Sequence, residues 1–186
     1  KKGKAYAQIF NRSSNKDKDF IINHHNNNPG MSREIKLPIY IEECNKSLTD
    51  NSYYEINSIK SSFSNLCIEI LIETPLIENI EDYIKNRSSS KIHHILTNMP
   101  QDEIDIVLKR KNIREYFKIV KGSSIDKIDS LSKIISNLSK ASKIIYIGDS
   151  EQDYIAAKNN NIDFILRPTK INQYLQSKLT CKILNI

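Results

Sequence analysis

YIGDSEQDYIAA, residues 146–157, decides the reading of this 186-residue chain. An apolar run ends at Gly148 and Asp149, and a second carboxylate, Asp153, follows four residues later. The run is continuously apolar over 142–148 (SKIIYIG), as a strand buried on both faces should be. The acid-led stretch 150–161 then predicts a helix. A spacing of four puts Asp149 and Asp153 on one face of that helix start. Taken alone, Asp149 is also what a helix cap looks like, and Asp153 what a solvated helix residue looks like. The neighbouring segments decide between these readings.

From about residue 75 onward, strands and helices alternate. TPLIENIEDYIKNR (74–87) predicts a helix with Pro75 in its first turn. KIHHIL (91–96) reads as a strand, and PQDEIDIVLKRKN (100–112) as a helix with acids early and bases late. YFKIVKG (116–122) is a strand, SIDKIDSLSKIISNL (124–138) a helix, DFILR (163–167) the last strand and INQYLQSKL (171–179) the last helix. This alternation predicts an α/β fold, a three-layer Rossmann-like parallel sheet. Residues 1–73 are different and recur at three and four. Helices are expected in KAYAQIF, DKDFIINHHNNN, REIKLPIYIEEC and SYYEINSIKSSFSNLCIEILI, with a turn at NNNPGMS and with Pro38 restarting a helix. The predicted organisation is a helical domain over 1–73 and an α/β core over 74–186.

Composition narrows the function. The net charge is +6, from 28 basic and 22 acidic residues. The lysines are scattered, and neither a basic cluster nor an aromatic platform for nucleic acid is visible. The expectation is no nucleic acid and no membrane, since no apolar run approaches the length of a span. Cys44, Cys67 and Cys181 are far apart and odd in number, without disulfide or zinc spacing, which suits a reducing, cytoplasmic setting. His24, His25, His93 and His94 lack a metal-ligand spacing and read as structural.

In parallel sheets of this type, ligands bind at the carboxyl ends of the strands. The first strand is followed by Thr97 and Asn98, the second by Gly122, Ser123 and then Lys127, the third by Gly148, Asp149, Ser150 and Asp153. A hydroxyl, an ammonium and two carboxylates are therefore expected at one crevice. Such groups suit a phosphate handled with a hard cation. Gly122 and Gly148 both fall at strand ends, although the chain has only four glycines.

These residues resemble the haloacid dehalogenase-like hydrolase superfamily. HHILTN looks like its second motif, Lys127 in KGSSIDK like its third, and YIGDSEQD like its fourth, of the Gly-Asp-x-x-x-Asp form. NNNPGMSREIK resembles a cap-domain segment of phosphoglycolate phosphatase-like members. The resemblance implies a Mg²⁺-dependent phosphatase of a small phosphorylated metabolite, acting through an aspartyl-phosphate. It implies that Thr97 holds the phosphoryl group with Asn98 and Ser123 nearby, and that Lys127 steadies nucleophile and phosphate. It also implies that Asp149 binds Mg²⁺ with Asp153 in support, and that a helical cap inserted into the core supplies Arg33 and Lys36 as anion contacts.

The superfamily's first motif, a strand ending in Asp-x-Asp, supplies the nucleophile. Here Asp17-Lys18-Asp19 follows NRSSNK, which is no strand, and is read instead as a helix start. The expectation is that this chain, opening at Lys1 without Met, begins just after that motif. The core would then lack its first strand, leaving unpaired edges and exposed apolar surface. The alternative expectation is an inactive module that binds Mg²⁺ and an anion and acts through a protein partner.

Overall fold

The computed structural model describes residues 2–28, 31–48, 53–85, 91–123, 126–138, 143–179 and 181–183. The chain divides into two compact units, Lys1–Pro75 and Leu76–Ile186. The turn expected around Pro29-Gly30 lies outside the described residues.

The first unit is helical. It contains α1 (Lys2–Ile9), α2 (Asn15–Asn27), α3 (Arg33–Ser47) and α4 (Ile56–Glu73). The three- and four-residue spacing gives each helix one buried face: Leu37, Tyr40 and Cys44 on α3, and Ile59, Phe63 and Cys67 on α4. The core is rich in aromatics. Tyr6 stacks on Phe63 with ring centres 4.1 Å apart and meets Tyr40 edge-on at 5.3 Å. Burial raises the Tyr40 hydroxyl to about 12, so it stays protonated, and it lies 3.1 Å from His24 Nδ1. Each such side chain contributes about 1.5–3 kcal/mol of burial.

Pro38 corrects one expectation: it lies inside α3 and does not restart a helix. It removes one backbone donor, that of residue 38 toward Glu34, and leaves the rest of the ladder. The buried row of Leu37, Tyr40 and Cys44 spans the proline on both sides, and packing of that row offsets the lost bond.

The second unit is α/β. Its elements are α5 (Ile80–Lys85), β1 (His93–Leu96), α6 (Gln101–Arg110), β2 (Phe117–Lys121), α7 (Lys127–Ser136), β3 (Ile145–Gly148), α8 (Glu151–Asn159), β4 (Asp163–Leu166), α9 (Gln173–Lys178) and β5 (Lys182–Ile183). Every pairing is parallel: β1 with β2, β3 with β4, and β4 with β5. Parallel strands joined through helices make this a Rossmann-like α/β fold. Around the pairs lie two apolar clusters, one holding Ala157, Phe164, Leu166 and Leu175, the other Ile84, Leu108 and Ile113.

Four details differ from the sequence reading. The helix expected from Pro75 is only Ile80–Lys85. Asn79 takes a left-handed φ of 63° just before it, which an Asn tolerates and which breaks the helical path. The far end of the expected helix, Asn86 and Arg87, lies outside the described residues. The strand β5 went unread because two residues carry no alternation. The strands also form two sheets, β1–β2 and β3–β4–β5, so β1 and β3 each pair on one flank among the described residues. Finally, β3 is not buried on both faces. Ile145 and Ile147 are 47% and 48% exposed, while Tyr146 and Gly148 face inward. A continuous apolar run fixes a strand, not the coverage of each face.

Among the described residues, no helix is long and apolar enough to cross a membrane.

Candidate active site

The site is built at the turn from β3 into α8. Ser150 caps α8: its hydroxyl accepts from the Asp153 N–H at 3.2 Å, while the Asp153 carboxylate accepts from the Ser150 N–H at 3.1 Å. This reciprocal pair is a capping box. It turns Asp153 back toward the strand end, so the aspartate is buried at 4% exposure although it sits in a first helical turn. Gly148 makes room for it. A Cβ at position 148 would lie 2.7 Å from Asp153 Cγ and 2.8 Å from Oδ2.

Asp153 has both oxygens occupied. Oδ2 accepts from the Ser150 hydroxyl at 2.6 Å and the Asp149 N–H at 3.3 Å, besides the Ser150 N–H. Oδ1 accepts from Lys127 Nζ at 2.5 Å and from the Tyr146 hydroxyl at 2.9 Å. Burial pushes the Asp153 carboxyl up, but the Lys127 charge and the donors Lys127, Ser150 and Tyr146 outweigh it and hold it below its usual range. Burial, and then the Asp153 charge, push Tyr146 well above the usual phenol range, so its O–H donates throughout. Lys127 is the first residue of α7, where the helix N-terminus disfavours a cation. The Asp153 carboxylate compensates that placement, and the pair is shielded, with side chains 14% and 6% exposed.

Asp149 is the accessible carboxylate. Its side chain is 56% exposed, and its Oδ2 lies 3.7 Å from a guanidinium nitrogen of Arg167. Its main chain is held by Asn172, a buried amide that donates to the Asp149 carbonyl at 2.8 Å and to the Arg167 carbonyl at 2.9 Å. The Arg167 N–H in turn donates to the Gly148 carbonyl at 2.7 Å.

The ends of β1 and β2 form a second cluster. Thr97 Oγ1 accepts from the Met99 N–H at 3.2 Å, and the Thr97 N–H donates to the Lys121 carbonyl at 2.9 Å. The Ser123 N–H donates to the Met99 carbonyl at 2.7 Å, with Ser123 at a φ of 53°. Gly122 permits that approach, since a Cβ there would lie 2.7 Å from Gln101 Cα. Asn98 is exposed beside it. Thr97, Asn98 and Ser123 thus share one loop pair, while Lys127, Asp149 and Asp153 share another.

Arg33 and Lys36 belong to the helical unit. The Arg33 guanidinium lies over the Phe63 ring at 5.0 Å. Lys36 is not on an open basic face: it is 1% exposed, with Nζ 3.1 Å from His25 Nδ1. His93 packs near Tyr83 and Phe117. Burial, with Lys118 and His93 nearby, lowers His94.

Mg²⁺ takes hard oxygen ligands and keeps several waters, so one or two carboxylates plus a phosphate suffice. The donors fit an open site of that kind. Asp149 has oxygens to offer, whereas those of Asp153 are already filled by donors. Among the described residues no group of three or more His, Cys, Asp or Glu forms a closed cage.

The sequence reading placed Ser150 at the strand end without its capping role, and missed Tyr146, Arg167 and Asn172 as parts of this site. Ser150 had a signal in the S-x-x-D spacing of a capping box. Tyr146 lies only seven residues before Asp153 and reads as one more apolar strand residue, while Arg167 and Asn172 act across the fold and left no signal.

Comparison with known proteins shows the family. The family model for haloacid dehalogenase-like hydrolases matches residues 4–167, and the chain belongs to that family. A Thermotoga maritima structure described as a beta-phosphoglucomutase matches with a TM-score of 0.68 at 16% identity, over 97% of this chain and 84% of that one. A Clostridium difficile structure described as a phosphatase matches with a TM-score of 0.64 at 18% identity, over 100% and 89%. YfnB of Bacillus subtilis, described as a hydrolase of this superfamily bound to magnesium, matches at 0.63 and 16%, over 88% and 79%. At these identities the solved structures speak for the fold. No curated protein sequence matches the chain.

Proposed function

We propose that the protein is a Mg²⁺-dependent phosphatase of a small phosphorylated metabolite, working through an aspartyl-phosphate. The observation that carries this is the division of labour at the β3–α8 turn: one carboxylate exposed at a strand end, the other buried and paired to a lysine. In this reading Asp149 holds the cation, which when bound neutralises charge on the phosphoryl oxygens. Asp153 fixes the Asp149 main chain and holds Lys127 at the rim, where its ammonium offsets charge on phosphate and nucleophile. The hydroxyls of Thr97 and Ser123 and the Asn98 N–H would donate to phosphoryl oxygens. The reading requires an aspartate nucleophile: neither Asp149 nor Asp153 is assigned that role, nor are Asp17 and Asp19, which follow no strand and lie in α2. The helical unit is the cap of this reading, with Arg33 as its basic residue, since Lys36 is 1% exposed against His25.

The test uses the protein as its gene encodes it. Release of inorganic phosphate from a panel of small phosphomonoesters is expected, abolished by chelating Mg²⁺ and reduced at least about a hundredfold in Asp149→Asn. No release from any phosphomonoester overturns the reading. Mg²⁺ binding without release points to the module that acts through a partner.

A further inference from the structure

We propose that Arg167 is a resident counter-cation of Asp149 that Mg²⁺ must displace, and so sets how tightly the site takes its metal. The inference rests on the assignment of Asp149 to the cation. A guanidinium nitrogen of Arg167 lies 3.7 Å from Asp149 Oδ2, on a carboxylate otherwise open to solvent. The two main chains cannot separate easily. The amide of Asn172, 4% exposed, donates to the carbonyls of both residues. Its Oδ1 accepts from the Thr169 N–H at 2.8 Å and from Gln176 Nε2 at 3.0 Å. The Arg167 N–H is tied to the Gly148 carbonyl. With both main chains held, the guanidinium can leave only by rotating its own side chain.

A divalent ion on Asp149 would sit within a few ångströms of that positive charge unless the side chain rotates away. Repulsion at this range in a half-exposed site weakens binding by about tenfold at low salt and by less as salt screens it. The arginine therefore neutralises the carboxylate when no metal is present and raises the Mg²⁺ concentration needed to load the site. Sequence reading did not reach it, because Arg167 follows β4 while Asp149 follows β3.

The experiment is Mg²⁺ titration of the full protein by calorimetry, without substrate, for wild type, Arg167→Gln, Arg167→Lys and Asp149→Asn. Arg167→Gln is expected to bind about tenfold more tightly, Arg167→Lys close to wild type, and the gain of Arg167→Gln to shrink as potassium chloride is raised. Asp149→Asn should lose binding. Equal or weaker binding by Arg167→Gln, with Asp149→Asn still defective, overturns the role of Arg167 alone. Unaltered binding by Asp149→Asn, or no binding by any variant, overturns the metal assignment and this inference with it. Arg167→Lys keeps the charge at similar bulk, so it separates electrostatics from any loss of fold in Arg167→Gln.

Discussion

The chain builds the same device twice, once in each unit. Ser14 and Asp17 form a capping box at the start of α2, and Ser150 and Asp153 form one at the start of α8. In both, the aspartate is 4% exposed. In both, the serine hydroxyl accepts from the aspartate N–H at 3.2 Å, and Oδ2 accepts from the serine N–H and hydroxyl. They differ at the other oxygen. Asp17 Oδ1 accepts from the neutral Ser47 hydroxyl at 3.0 Å, whereas Asp153 Oδ1 accepts from Lys127 and Tyr146. A helix cap is thus a local motif with no chemistry of its own. A long-range ammonium, and a second carboxylate at the adjoining strand end, turn one copy into a site.

Substitution should separate the two copies. The largest effect is expected for Asp153→Ala, which leaves Lys127 shielded and unpaired. A loss of about 3–5 kcal/mol is expected in urea denaturation, together with loss of Mg²⁺-dependent phosphate release. A loss no larger than that of Asp17→Ala would mean that the two boxes are energetically alike. The pH dependence follows from the same pair. The Asp153 carboxyl titrates lower in the folded chain than in the unfolded one, so its ionised form favours folding. That contribution is complete above the unfolded value of about 4 and disappears as pH falls through the lower folded value. Asp153→Asn should flatten the stability profile in that acid window and leave it unchanged above about pH 6.

Asp17→Ala comes next. It removes the Asp17 half of the capping box and the bond from Ser47 while the Ser14 cap stays, with an expected cost of about 1–2 kcal/mol and no change in Mg²⁺ affinity or phosphate release. A fall in either would show that the helical copy is not purely structural. The smallest effect is expected for Tyr146→Phe. It removes one of two donors to Asp153 Oδ1 while Lys127 stays, at about 1 kcal/mol. A cost matching Asp153→Ala would move the weight of the site from the lysine to the tyrosine.

The comparison also marks what could be read from sequence. The two acidic stretches were told apart by what precedes them: the apolar run 142–148 before Asp149, the polar NRSSNK before Asp17 and Asp19. The alternation of strands and helices was legible for the same reason, because periodicity is a local signal. Sequence could not supply partners separated along the chain. Lys127 was placed at the crevice with both carboxylates, but not its ion pair with Asp153 across 26 residues, nor the bond by which Ser47 reaches Asp17 across 30. Asn172 and Arg167 meet Asp149 only because β3 and β4 lie side by side. Pro38 was misread because propensity is local while packing of α3 is not, and the exposed face of β3 because an apolar run records what a strand can bury rather than what covers it.

The division of the strands into two sheets has a practical consequence for anyone handling the protein. Ile145 and Ile147 of β3 lie exposed on a strand whose other edge has no partner among the described residues. Self-association grows with concentration, and the net charge of +6 keeps copies apart over only about a Debye length. Concentrating the sample or adding salt is therefore expected to push in the same direction, which light scattering across a salt series would check.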